Sequence, residues 1–169
     1  MNNLIVAFIC PDRSGIVQTL SNIIKQHHGS WQTSSLHHLS GFFTGVIETS
    51  VDTEQSQSLC QALQAISGFK CHIESAPRSE ADNDNTDTTP IILELTANDR
   101  SGIIQEISSV IHQQGGNLLN LETQQASAAH SGQCLFTAKA IISVNENAIL
   151  SLIEALEALA DDLMVEVSR

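Results

Sequence analysis

I-C-P-D-R-S-G-I-V, residues 9–17, and T-A-N-D-R-S-G-I-I, residues 96–104, are two versions of one passage. Each follows an apolar run and opens a segment of helical periodicity. Asp12 and Asp99 stand 99 − 12 = 87 positions apart, as do Arg13 and Arg100, Ser14 and Ser101, and Gly15 and Gly102. The same offset carries Ile16, Val17, Leu20, Ile23 and Ile24 onto Ile103, Ile104, Ile107, Val110 and Ile111. Both sets have the i, i+1, i+4, i+7, i+8 spacing of a helix face turned to a core. The offset holds at Gly29 and Gly116 and then becomes 93. Phe43-Thr44 aligns with Phe136-Thr137, and Leu59, Leu63 and Ile66 align with Leu152, Leu156 and Leu159. The second copy therefore carries 93 − 87 = 6 extra residues, between Gln125 and Cys134. An interval of this length in a chain of 169 residues means two small homologous domains, not a solenoid.

Residues 4–10 are a compact apolar run that ends at Pro11 and reads as a buried strand. Pro11 and Asp12 start a turn, in which Asp12 or Ser14 is expected to accept a hydrogen bond from the first helical turn. The helix covers 14–28 and stops at Gly29, the usual residue beyond a C-terminus. Residues 31–39 and 42–51 are strands joined at Ser40-Gly41 as a hairpin. A second amphipathic helix spans 54–66, with Leu59, Leu63 and Ile66 inward, and Gly68 ends it. Phe69, Cys71 and Ile73 alternate with polar residues in a last strand. The pattern restarts with a strand at 91–97 and a helix that ends near Gly115-Gly116. Strands at 117–125 and 134–144 follow, with a longer connection over 126–132, then a helix at 147–159 and a strand at 163–167.

Strand–helix–strand–strand–helix–strand, twice, predicts an α+β fold of two ferredoxin-like βαββαβ units. Each is an antiparallel four-stranded sheet with two helices on one face. The domains are 1–76 and 91–169. Between them, 77–90 reads P-R-S-E-A-D-N-D-N-T-D-T-T-P, an acidic and polar linker. Units this small have marginal cores, and the sheet edges they expose support association into a homo-oligomer.

The formal net charge is −12, with seven Lys and Arg against nineteen Asp and Glu. Nucleic acid is bound largely through Lys and Arg, so direct DNA contact is disfavoured. An anionic membrane surface is disfavoured for the same reason. No apolar run approaches the ~20 residues of a membrane span. The opening M-N-N-L-I-V-A-F lacks a basic segment and reads as the first strand rather than a signal peptide. Cys10, Cys60, Cys71 and Cys134 show no CxxC spacing and read as reduced core cysteines of a cytoplasmic protein.

His27-His28 and His37-His38 are adjacent pairs, with His72, His112 and His130 elsewhere. Neighbours on a strand point to opposite faces, so no metal site is expected. No G-x-S-x-G, H-E-x-x-H or P-loop occurs, and neither a catalytic constellation nor a cofactor is expected. Trp31, the one tryptophan, is expected under the first helix.

The D-R-S-G passage has chemistry of its own. A helix N-terminus offers unpaired N–H groups and a positive dipole end. Glycine there leaves room for close approach, and such a site suits the carboxylate of an amino acid. An adjacent Asp can receive the ammonium group. The plainer alternative, two capped and closely packed strand-to-helix turns, stays open beside it.

A βαββαβ unit with D-R-x-G-I at its first turn, and G-x-W or G-x-N after its first helix, resembles an ACT domain. The resemblance covers nearly the whole chain, in two copies. A free-standing pair with a polar linker and no catalytic domain most resembles the glycine cleavage system transcriptional repressor family. The F-I-C-P-D-R-S-G opening is also similar to the front of formyltetrahydrofolate deformylase, whose catalytic domain is absent. The resemblance implies a ligand held between this loop and the start of strand two of a neighbouring unit. The implied residues are Asp99, Arg100, Ser101, Gly102 and Asn117 in the second unit, and Asp12, Arg13, Ser14, Gly15 and Ser30 in the first. Many ACT loops have Pro where Ser14 and Ser101 stand, and Ser30 replaces a common Asn, which favours the second unit. The implied function is that of a non-enzymatic regulator sensing a small amino acid such as glycine. Given the charge, it would act through a protein partner, a DNA-binding transcription factor, rather than on DNA. The rival is a free-standing regulatory subunit that controls an enzyme of amino-acid or one-carbon metabolism.

Overall fold

The computed structural model describes residues 1–76, 88–127 and 134–168. The chain divides into two compact units, Met1–Asn83 and Asp84–Arg169. The first holds β1 (Asn2–Pro11), α1 (Ile16–Gln26), β2 (Ser30–Leu39), β3 (Phe42–Val51), α2 (Thr53–Gln64) and β4 (Lys70–Ala76). The second holds β5 (Thr88–Asn98), α3 (Ile103–Gln113), β6 (Asn117–Ser127), β7 (Cys134–Asn145), α4 (Ile149–Glu157) and β8 (Met164–Ser168), with a single 3₁₀ turn, Glu146–Ala148, leading into α4. The sheets have the orders β2-β3-β1-β4 and β6-β7-β5-β8, and every pairing is antiparallel. These are the two βαββαβ units that the repeat predicts. Of the segment read as a linker, 77–87 lies outside the described residues. Thr88 to Pro90 already pair with β7, so β5 opens three residues before Ile91.

Period-2 and period-3.6 burial meet on one side of each sheet. Leu4, Val6, Phe8 and Cys10 of β1 and Ile47 and Val51 of β3 are buried with Ile16, Leu20 and Ile24 of α1 and Leu59 and Leu63 of α2. In the second unit Ile91, Leu93, Leu95 and Ala97 play the part of β1, against Ile103, Ile107 and Ile111 of α3 and Leu152 and Leu156 of α4. Each such aliphatic side chain contributes on the order of 1.5–3 kcal/mol of burial. Trp31 packs against the first core, as expected. Two expectations fail at the margins. Val17 and Ile104 remain 41% and 37% exposed, because each sits ~100° around the helix from the inward residue before it. Cys134 is exposed rather than in the core, since it opens β7 at the outer end of the hairpin, opposite Ser127.

Both connections read from the repeat are visible in the ladders. Leu39 pairs with Phe42 across Ser40 and Gly41, whose φ of 50 and 83 make a tight two-residue turn. The offsets of 87 and 93 carry that pair onto Ala126 and Leu135, which are paired in the second unit. The six extra residues therefore fall inside this hairpin, and 128–133 lie outside the described residues. Ala126 and Ser127, read as connection, belong to β6.

The helix C-termini are built differently from the reading. The left-handed residue after α1 is His28 (φ 57), not Gly29, and after α3 it is Gly115 (φ 73). Gly29 and Gly116 serve close approach instead: a Cβ would lie 3.0 Å from the Ile24 side chain and 2.9 Å from that of Ile111.

Gly45 of β3 sits where β2 crosses most tightly. A Cβ there would lie 2.2 Å from the Ser35 carbonyl and 2.8 Å from the Leu36 side chain. The equivalent residue in the second unit is Ala138, which is buried without trouble. Gly45→Ala should therefore cost about 1–3 kcal/mol by overpacking against backbone. Urea denaturation measures it, and a loss below about 0.5 kcal/mol, the range of neutral surface changes, would show that β2 yields freely.

Candidate functional site

Each D-R-S-G passage forms the turn between the first strand and first helix of its unit. Gly15 and Gly102 stand immediately before α1 and α3, with φ of 83 and 88. Their carbonyls accept the N–H groups of Thr19 (2.9 Å) and Glu106 (3.0 Å), the first bonds of each helix. The sign of φ is what calls for glycine. A Cβ on either residue would meet nothing within 4 Å, so the space over each helix start is open.

Neither helix has a side-chain cap, contrary to the expectation for Asp12 or Ser14. The reason is that Asp12 is engaged elsewhere. Its backbone N–H donates to the Gly41 carbonyl (3.0 Å) in the β2–β3 hairpin. Its carboxylate lies 3.4 Å from Nε2 of His38 on β2. Asp99 repeats both contacts: its N–H donates to the Cys134 carbonyl (2.8 Å), and its Oδ2 accepts from Nε2 of Gln125. Without a side-chain cap, the Ile103 N–H of α3 turns back to the Arg100 carbonyl (3.4 Å), and no side chain bonds the first-turn N–H groups of either helix.

The arginines separate the two loops. Arg100 grips Glu106 of α3 with both ends of its guanidinium, Nη1 to Oε1 at 2.9 Å and Nη2 to Oε2 at 2.5 Å. The hydrogen bond with Arg100 lowers the Glu106 carboxyl pKa, and the reciprocal bond raises that of Arg100. In the first unit Thr19 occupies the position of Glu106, so Arg13 finds no carboxylate on its helix. The Asp162 carboxylate closes the end of β5 in the second unit by accepting the Asn98 N–H (2.8 Å), which lowers its pKa.

The turn thus gathers Asp12, Arg13, Ser14 and Gly15 with His38, and Asp99, Arg100, Ser101 and Gly102 with Gln125 and Glu106. Ser30 and Asn117 are not gathered with them. Ser30 lies level with Ser50 and Asn3, and Asn117 with Ser143 and Pro90. Nine strand residues, about 30 Å, separate those levels from Asp12 and Asp99. Within one unit the two halves of the expected site stand at opposite ends of the sheet.

His38, Gln125 and Glu106 did not emerge from the sequence reading. The repeat offset does align His38 with Gln125, which is the signal that could have found them. Burial raises the thiol pKa of Cys10, Cys60 and Cys71 and keeps them protonated. Among the described residues no group of three His, Cys, Asp or Glu side chains is placed to hold a metal. No helix among them is long and apolar enough to cross a membrane.

The depressed Glu106 pKa has a stability consequence. A carboxyl whose folded pKa lies below its unfolded value adds stability above the unfolded value, and that stability is lost as pH falls through the folded pKa. Glu106→Gln should be less stable than the unmodified protein at neutral pH. Chemical denaturation across the acid range should show the gap closing below the usual carboxylate pKa. A gap independent of pH would mean that the Arg100 clamp adds nothing through charge.

No family model matches the sequence, and no curated protein does. Solved structures match it along its length. That of an unknown protein from Galdieria sulphuraria superposes with a TM-score of 0.79 at 23% identity, over 99% of each chain. That of a "putative glycine cleavage system transcriptional repressor" superposes with a TM-score of 0.70 at 14% identity, over 99% of this chain and 98% of that one. A formyltetrahydrofolate deformylase from Pseudomonas putida overlaps 44% of this chain and 29% of its own, at 17% identity and a TM-score of 0.37. From end to end, the chain has the tandem ACT-like fold of the first two structures.

Proposed function

We propose that this protein is a non-enzymatic, cytoplasmic regulator that binds a small amino acid such as glycine and acts through a protein partner. The observation that carries the proposal is the uncapped helix start behind Gly15 and Gly102. No side chain caps either helix, the space beside each glycine is open, and an Asp carboxylate stands on the same turn. The N–H groups suit the ligand carboxylate, and the Asp suits its ammonium group. Full-length likeness of fold to the glycine cleavage repressor supports a transcriptional role in glycine cleavage. The net charge of −12 supports an indirect one, through a DNA-binding partner.

The second unit holds the better site in this proposal. Gln125 occupies Oδ2 of Asp99, which leaves Oδ1 for the ammonium group, and the Arg100–Glu106 clamp presets the loop. In the first unit the neighbour of Asp12 is His38, a cation when protonated, which competes with an ammonium group. Asn117 offers a donor and an acceptor where Ser30 is shorter. Within its own unit it lies beyond reach of the loop.

Calorimetric titration with glycine, serine and other small amino acids tests the reading. Asp99→Asn should lose one charge-assisted bond, about 1.5–3 kcal/mol, or roughly ten- to hundredfold in affinity. Asp12→Asn should lose less. Equal losses would assign binding to both units, and no heat with any amino acid would return both loops to plain turns.

The purified protein alone should not shift duplex DNA in a low-salt gel, and a specific shift would overturn the indirect role. Capture of partners from lysate, read by mass spectrometry, should return a transcription factor. Recovery of an enzyme of amino-acid or one-carbon metabolism instead would make the chain a regulatory subunit.

A further inference from the structure

The two sheets differ on the face turned away from the helices. On the first sheet that face carries Ile5, Ala7 and Ile9 of β1 and Phe42, Thr44, Val46 and Glu48 of β3, with Leu39 of β2 opposite Phe42. Ile9, Val46, Phe42 and Leu39 are 43%, 43%, 47% and 66% exposed, an apolar patch broken along β3 by Thr44 and ended by Glu48, where an ordinary sheet facing water is more polar. On the second sheet the centre of the same register is charged, although Ile92 and Ile141 are paired on that face and Met164 is exposed there. Ala7 and Val46 are ladder partners in the first unit, and their equivalents Glu94 and Lys139 are ladder partners in the second, joined by an ion pair of 3.2 Å. Thr96 stands where the first unit has Ile9. Duplicated units with one shared fold thus differ at the centre of this face, apolar in the first and an ion pair in the second.

We propose that the outer face of the first sheet is a self-association surface, on which two copies of the chain pack face to face about a twofold axis. Three observations point to a second copy as the occupant. Shape comes first: a sheet face is complementary to another sheet face, packed about 10 Å away. Charge comes second. Residues 1–76 hold three Lys and Arg against five Asp and Glu, a formal −2, whereas 91–169 hold three against ten, a formal −7. Copies that meet through the first unit bring their least repulsive surfaces together.

The rim is the third observation. Along edge strand β4, Lys70, His72 and Glu74 stand level with Ile9, Ala7 and Ile5. A twofold axis lying between the sheets, across the strands and over Ala7, sets Lys70 of each copy over the partner's Glu74. Such an isologous contact pairs unlike charges twice and covers Ala7 and Val46 at its centre.

Sedimentation equilibrium of the full chain tests this. The unmodified protein should be a dimer at about 100 μM, well above the micromolar dissociation constant that a weak standard-sized interface supports. Ala7→Glu with Val46→Lys installs the pair that the second sheet already folds around. It should raise the dissociation constant at least ~100-fold, since two charged pairs would be desolvated at the centre. Lys70→Glu should raise it about tenfold by setting like charges together, and Lys70→Glu with Glu74→Lys should restore it. A monomeric unmodified protein would overturn the proposal and leave the face to another occupant. Dimerisation unaffected by the central pair, or a charge exchange that fails to restore a loss caused by Lys70→Glu, would overturn it equally.

Discussion

One backbone hydrogen bond sets the character of each unit: Asp12 N–H to the Gly41 carbonyl, and Asp99 N–H to the Cys134 carbonyl. Each ties the turn before the helix to the hairpin at the far edge of the sheet. An Asp at that point in a chain would ordinarily swing its carboxylate onto the first helical turn and cap it. Here the side chain follows the backbone outward, to His38 in one unit and Gln125 in the other. Glycine at positive φ then starts the helix with its N-terminal N–H groups unclaimed. The open helix start is thus a consequence of where the Asp is anchored, and the ligand chemistry proposed for the loop depends on it.

The repeat made the fold legible. Alternation on β1 and β5 and the 3.6-residue pattern on α1 and α3 recur at fixed offsets, so each element was read twice. Errors in one copy are bounded by the other. The six-residue insertion was legible for the same reason: two offsets, 87 and 93, can only be reconciled inside the β6–β7 hairpin. What stayed hidden was conformation at single residues. Gly29 looks like a helix stop by type, yet His28 takes the left-handed turn and Gly29 is needed for its missing Cβ. Residue type alone does not distinguish these uses, since both favour glycine.

The candidate site was legible only in part, for a geometric reason. The loop residues are contiguous, so their proximity follows from sequence. His38 and Gln125 lie 26 positions beyond the Asp they hold, on a strand that reaches the turn only after the hairpin has folded. Ser30 and Asn117 follow their helix directly, which makes them close to the loop in sequence. The helix nevertheless carries the chain back to the other end of the sheet, about 30 Å away.

Duplication supplies an internal control on each of these features. The two units share turn geometry, sheet order and core, so differences between them cannot be requirements of the fold. Three stand out at equivalent positions: Glu106 against Thr19 beneath the loop arginine, Lys139 against Val46 on the outer sheet, and Gly115 against His28 after the helix. The first two move charge onto the second unit, where they form the Arg100–Glu106 and Glu94–Lys139 pairs. Exposed ion pairs contribute little to stability. Their effect is better sought in what they forbid. The Glu94–Lys139 pair on the second sheet makes apolar association there costly, and the Arg100–Glu106 clamp removes one cation from general use. The first unit keeps the apolar Ala7–Val46 pair on its sheet and an arginine without a carboxylate on its helix. On that difference rest the proposals of self-association on the first unit and of a small polar ligand on the second.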